Sequence, residues 1–171
     1  LYPEKDDWKI YSGTTLVEKD RVIAIHHTPK YGNYIAISKD PLLLNWERLP
    51  NPVVRTPAKG ENAPYKVFDP CIWREGEYYY ALSGSKEEGV GKIRRPVEYL
   101  FRSKDLKKWT YLHPFVEKDQ FFTSNDDRAC PYFWPIGSTG KHILLSFSHY
   151  SGGHYTLGTY DTERQKLIAY D

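Results

Sequence analysis

Apolar and aromatic residues alternate with polar ones in short runs that Gly, Pro, Asn and Asp interrupt, and no segment sustains helical spacing of its apolar positions. This pattern predicts an all-β chain of short strands joined by tight turns. The clearest stretch is 67–84. Asp69-Pro70 opens it, Cys71–Trp73 reads as a strand, Glu75-Gly76 as a turn, and Tyr78–Leu82 as the returning strand. Gly in the turn with aromatic and β-branched residues on either side is a hairpin signal. A carboxylate at the very start of such a hairpin belongs at a rim, because an unpaired charge in a core is costly.

The same arrangement is predicted twice more. Ser12–Val17, Arg21–His27, Tyr34–Ser38 and Trp46–Pro50 form a first unit, followed by a linker with Pro50, Pro52, Pro57 and Gly60 that cannot be a central strand. The second unit continues through a polar loop over Ser85–Arg95 to strands at Tyr99–Ser103 and Trp109–Pro114. Ala129–Trp134, His142–Ser148, His154–Tyr160 and Lys166–Tyr170 make the third, with a turn at Gly137–Gly140. Tyr34-Ile-Ala-Ile-Ser-Lys-Asp40 with Trp46 aligns to Tyr99-Leu-Phe-Arg-Ser-Lys-Asp105 with Trp109, and the two tryptophans lie roughly 63 residues apart, near a blade period. Repeated four-strand units in one order predict a β-propeller rather than a sandwich, with blades at roughly 11–54, 67–116 and 126–171. Three blades are too few to close a ring, so the 171 residues are expected to be part of a larger domain. The missing blades of a parent chain, or self-association through exposed blade edges, would cover what is left open.

Composition narrows the partners. A net charge of +2 gives no electrostatic case for nucleic acid or an anionic membrane surface. No apolar run reaches the roughly 18 residues of a membrane span. Leu1–Asp7 do not read as a signal peptide, and Leu1 is not a translation start, which again points to a piece of something longer. Aromatic residues make up 16% of the chain, including fifteen Tyr and five Trp, a composition that suits half-buried strands and sugar-binding surfaces alike. Cys71 and Cys130 lack metal-ligand spacing and read as buried free thiols. His26-His27 and the pair His149 and His154 have no carboxylate or cysteine at matching spacing, so no metal or other cofactor is expected.

In a propeller the first strand of each blade lines the central channel, which brings Ser12-Gly13, Asp69-Pro70 and Asp126–Pro131 to one funnel. Converging carboxylates in a sugar-sized funnel are what glycoside hydrolysis needs. Trp8 and Trp73 offer flat faces for a sugar ring, packing between blades being the alternative, while the repetition of Trp46 and Trp109 argues for structure. His149, beside Ser151-Gly-Gly153, is placed to touch sugar.

Ser12-Gly-Thr-Thr15, Tyr34–Asp40 with Trp46, Asn51-Pro-Val53, Val67-Phe-Asp-Pro70, Ala129–Gly137 and Tyr155–Asp161 together resemble glycoside hydrolase family 32, the invertases, levanases and other β-fructofuranosidases. The resemblance covers nearly the whole chain and implies three blades of a five-bladed propeller. It implies a fructose-containing carbohydrate substrate, retention through a covalent fructosyl intermediate, and a parent that is exported.

Carried over by position, Asp69 is implied to stabilise the transition state and hold sugar hydroxyls. Ser12, Gly13, Trp73 and His149, read from their places along the chain, are the candidate substrate-binding residues. Three departures accompany this. Phe68 stands where the family has Arg, Ala129 stands where it has the acid Glu, and its nucleophile motif lies in a blade that this chain lacks. Asp126 and Asp127 are candidates for a displaced acid, since mutual repulsion would raise one pKa. Two other classes remain open: a non-catalytic carbohydrate-binding propeller, which Ala129 favours, and a family 43-like arabinanase or xylosidase, which also uses Asp-Pro at a blade start.

Overall fold

The computed structural model describes residues 9–88, 94–117 and 126–170. Among these the chain forms three sheets and no helix. The first sheet runs β1 (Gly13–Val17), β2 (Val22–Thr28), β3 (Gly32–Ser38) and β4 (Glu47–Arg48) in spatial order, and β5 (Val54–Arg55) also pairs with β3. The second runs β6 (Pro70–Glu75), β7 (Tyr78–Glu88), β8 (Arg94–Ser103) and β9 (Thr110–Pro114). The third runs β11 (Ala129–Pro135), β12 (Lys141–Ser148), β13 (Gly152–Asp161) and β14 (Lys166–Ala169), with β10 (Val116–Glu117) added beyond β14. The strands pair antiparallel except β10 and β14, which are parallel.

The middle sheet is buried on both faces, and strand alternation decides which residue goes where. Ile72, Tyr79 and Ala81 pack with Ile23, Ile25 and Ile35 of the first sheet. Cys71, Tyr80 and Leu82, offset by one residue, pack with Phe133, Leu144 and Leu167 of the third. Each such Leu or Ile, fully withdrawn from water, contributes about 1.5–3 kcal/mol. The hairpin of the middle sheet closes as its sequence predicts. Glu75 pairs with Tyr78, Gly76 and Glu77 form the two-residue turn, and Gly76 has φ +56°, which costs glycine nothing.

The repeated Ser-Lys-Asp segment is a turn-building device. Asp40 accepts backbone hydrogen bonds from Leu42 (3.0 Å), Leu44 (3.0 Å) and Asn45 (3.1 Å). Asp105 does the same for Lys107 (2.9 Å) and Lys108 (2.8 Å). Leu43 and Leu106 both adopt positive φ there, and the indole N–H of Trp46 and of Trp109 donates to their respective carbonyls at 2.8 and 3.0 Å. Both tryptophans therefore hold the same turn before a fourth strand, as their repetition implied.

Two features differ from expectation. The polar loop expected over Ser85–Arg95 is mostly strand, since β7 continues to Glu88 and β8 begins at Arg94, paired residue by residue. Only 89–93 of that loop, and Trp8, lie outside the described residues. The parallel pairing of β10 with β14 was not anticipated: Val116 faces Leu167, and Arg164 forms an ion pair with Glu117. It joins the end of the second sheet to the edge of the third.

At the end of the stack away from the strand starts, Glu18 bridges the first two sheets. Its carboxylate accepts from Arg21 Nε (2.6 Å), Arg74 Nη1 (2.6 Å) and Tyr79 OH (3.0 Å). Burial pushes the Glu18 carboxyl up, but these three donors outweigh it and hold the group below the usual carboxylate range. A lowered folded-state value adds stability that is fully present above the unfolded Glu value of about 4.3 and is lost as pH falls through the folded value. Glu18→Gln should therefore lower stability by about 1–3 kcal/mol at pH 7, and the gap to the parent should shrink near pH 3. Urea midpoints of both chains at the two pH values check this.

Candidate active site

The starts of the three first strands meet at one end of the stack. Ile72 N–H donates to Thr14 Oγ1 at 2.9 Å, tying β6 to β1, and Gly84 N–H reaches Asp69 O at 3.4 Å. On the far side, β7 comes against the segment before β11 so closely that a Cβ on Gly84 would lie 1.6 Å from Arg128 O. No side chain larger than hydrogen fits there. Ser12, Asp69 and residues 126–130 are thereby gathered around one lip.

Asp69, half-buried ahead of β6, accepts a long hydrogen bond from the Cys130 thiol, 3.6 Å from Sγ to Oδ2. Cys130 has φ +48° and sits in a bulge between Ala129 and Tyr132, which aims its side chain at the lip. Burial pushes its thiol up, the Asp69 and Asp127 charges push it further, and the Ser12 hydroxyl opposes them. So Ser12, Asp69, Asp127 and Cys130 share one neighbourhood. The expectation of two buried inert thiols holds for Cys71, which is pushed up to about 11 by burial. Cys130 is instead part of the polar lip, a role to which its Ala-Cys-Pro setting gave no signal.

Asp126 is the reverse of the expected acid. It is 5% exposed, accepts from Ser151 Oγ (2.7 Å) and Asp127 N–H (2.7 Å), and lies 3.3 Å from His154 Nε2. Burial alone would raise it, but the Ser148 and Ser151 hydroxyls, the Asp127 amide and His154 hold its carboxyl below the usual range. Repulsion by its neighbour does not decide its protonation; local donors do. Asp127 is paired differently, taking His149 N–H at 3.2 Å and His149 Nδ1 at 3.0 Å.

Sequence reasoning missed the strut beneath these two carboxylates. Arg128, with its side chain 8% exposed, donates to Thr156 Oγ1 at 3.0 Å, and its Nε lies 3.6 Å from Oε1 of the buried Glu98. The available signals were a lone Arg directly after two Asp, and a Glu at a position of β8 where alternation demands an apolar residue.

Gly13 and Trp73 line a groove of about 590 Å³ between β1, β6 and β11, which Asp69, Asp126, Asp127 and His149 do not line. Gly13 is required for strand pairing, because a Cβ would lie 1.9 Å from Ile25 O. Trp73, read as a sugar platform or as packing between blades, makes packing contacts while still lining the groove: its ring stacks on Tyr80 at 5.5 Å and tilts against Phe115 and Phe133 at 5.8 and 5.1 Å. Ala129 pairs with Phe147 at the start of β11 and carries no titratable group. Phe68 is 48% exposed and its ring lies 5.9 Å from that of His27.

The profile of the glycosyl hydrolases family 32 N-terminal domain matches residues 1–170. The chain belongs to this family. An insoluble β-fructofuranosidase isoenzyme of Arabidopsis thaliana, CWINV2, is 29% identical over 150 residues, covering 74% of this chain and 23% of that protein. The family 32 β-fructofuranosidase BmSUC1 of Bombyx mori shares the fold, with a TM-score of 0.68 at 22% identity over 96% of this chain and 37% of that one. The xylan β-1,4-xylosidase of Bacillus halodurans does so as well, with a TM-score of 0.61 at 17% identity over 95% of this chain and 31% of that one. The family 32 chain is thus an all-β propeller assembly, and it spans about a quarter to a third of the length of its curated relatives.

The close approach at Gly84 supports a direct test. Gly84→Ala should destabilise by about 1–3 kcal/mol and push the 126–130 segment away. In a thiol-labelling time course at pH 8, native Cys130 should react slowly, Gly84→Ala should expose it to faster labelling, and Cys71 should stay protected in both.

Proposed function

We propose that this chain supplies the substrate-holding part of a fructoside hydrolase of family 32, acting on the glycosidic bond of fructose-containing sugars. Asp69 is the central residue. Among the described residues its carboxylate accepts one long hydrogen bond, from a thiol, so it keeps acceptor capacity for two sugar hydroxyls. In the intact enzyme its charge would lie opposite the developing oxocarbenium ion. The Ser12 hydroxyl is hydrogen-bonded with the Cys130 thiol that contacts Asp69, and Gly13 lets β1 pair closely with β2 beside it.

The three sheets correspond in this reading to three blades of a five-bladed ring. A preceding blade would carry the nucleophile, and the remaining sheets of a parent, or a second copy meeting the open edges, would complete the funnel. With Ala129 at the acid position, the described residues hold fructosides rather than cleave them in this reading. A purely carbohydrate-binding propeller is the second reading, and the observation that favours it is Ala129, a methyl group at the acid position.

Calorimetric titration with fructose, sucrose and a xylo-oligosaccharide, run beside an assay for released sugar, tests the proposal. Fructose and sucrose should bind, and Asp69→Asn should weaken both by about tenfold or more, the value of one charged hydrogen bond. Binding of the xylo-oligosaccharide alone would move the chain to the family 43 type of specificity. If a parent carrying the preceding blade also releases no sugar, the binding-module reading replaces the hydrolase.

A further inference from the structure

We propose that His149, held by Asp127, supplies the hydrogen-bond donor toward the glycosidic oxygen that Ala129 does not. The inference rests on the fructoside reading above and assigns that site a specificity-determining residue and a pH dependence.

Three observations lead to it. First, Asp127 grips His149 twice, through the backbone amide to Oδ1 at 3.2 Å and through Nδ1 to Oδ2 at 3.0 Å. A carboxylate on Nδ1 fixes the proton there and turns the other ring nitrogen, Nε2, outward. The His149 side chain is 73% exposed while Asp127 is 19% exposed, so the anchored end is sheltered and the working end is open. Second, the pair sits beside the lip: Asp127 lies two residues before Ala129, Ala129 pairs with Phe147 two residues before His149, and the adjoining Cys130 thiol lies 3.6 Å from Asp69 Oδ2. Third, the segment bearing Asp127 is rigidly founded. Arg128 is hydrogen-bonded to Thr156 and lies 3.6 Å from Glu98, and Asp126 is hydrogen-bonded to Ser151 and lies 3.3 Å from His154, so both neighbours of Asp127 are held by side-chain contacts.

The anchoring gives His149 two states with different chemistry. Neutral, with its proton on Nδ1, it offers a sugar only an acceptor at Nε2. Protonated, it offers an Nε2–H donor, and a glycosidic oxygen, which has no proton, can pair only with a donor. Free fructose carries a hydroxyl at that carbon and satisfies either state. Sucrose should thus sense the charge on His149 where fructose does not. The charged and titratable groups around His149 are Asp127, Asp126, Cys130 and Asp69 on the lip, Glu98 and Arg128 beneath it, His154 on β13, and Lys86 of β7, which lies 5.4 Å from the ring of neighbouring Tyr150. Asp126 already faces His154, so the second histidine is occupied within its own pair.

Calorimetric titration of the full chain with sucrose and with fructose at pH 5 and at pH 8 tests this. Sucrose should bind about fivefold more tightly at pH 5, a charged donor replacing a mismatched acceptor, while fructose changes little. His149→Ala should abolish the sucrose preference for low pH. His149→Gln, whose amide donates at every pH, should bind sucrose equally at both. Asp127→Ala should shrink the preference, and ¹⁵N spectra of the His149 imidazole should show loss of the Nδ1–H tautomer. Sucrose binding with the same pH response in His149→Ala, or with none in the unsubstituted chain, overturns the inference while leaving the fructoside reading intact. No binding of either sugar at either pH overturns that reading and the inference with it. An unchanged tautomer in Asp127→Ala, which offers no acceptor to Nδ1–H, overturns the dyad independently of any sugar.

Discussion

Burial of the middle sheet on both faces is the constraint from which the rest follows. Cys71, Tyr80 and Leu82 must turn one way and Ile72, Tyr79 and Ala81 the other, so β6 and β7 have no register freedom. A slip of one residue would exchange the two cores and carry Asp69 to the wrong face. Because β6 is fixed between β1 and β11, the starts of all three strands arrive together. The polar lip is then a by-product of apolar packing. Asp69 stays half-buried at a strand start because the sheet below has no space for a charge.

The lip divides its labour between two kinds of carboxylate. Asp126 is sunk among hydroxyls, an amide and His154, and serves the segment that carries it. Asp69 and Asp127 are less enclosed and face other groups at the mouth. Under them Arg128 and Glu98 form a buried pair between the second and third sheets, with Thr156 taking a further hydrogen bond. Removal of one partner would leave a buried charge without its counter-ion, which is costly even where the intact pair adds little.

The strands, the hairpin at Gly76 and the turns at Asp40 and Asp105 were legible in the sequence because each is a local matter of alternation, glycine or side-chain capping. Asp69 was legible because a charged residue beside Pro70 at a strand start has few places to go. Trp73 was not, since an indole at a strand position suits a sugar or a neighbouring sheet equally, and its contacts with Phe115 and Phe133 come from residues more than forty positions downstream. Asp126 and Asp127 are indistinguishable as adjacent letters, yet they point to different partners more than twenty residues downstream. The Glu98–Arg128 pair and the bonding of β10 to β14 are likewise long-range, and a periodic pattern records nothing of them.

That last pairing has a consequence for how the molecule comes apart. Val116 and Glu117 leave the second sheet and bind the final strand of the third, so the two sheets share a clasp made from opposite ends of the third sheet's sequence. Peeling β14 from its edge frees β10 at the same moment, and with it Phe115, which is wholly buried between the sheets. The pair should therefore open as one cooperative block in hydrogen exchange, with the first sheet, which lacks any such clasp among the described residues, able to fluctuate separately.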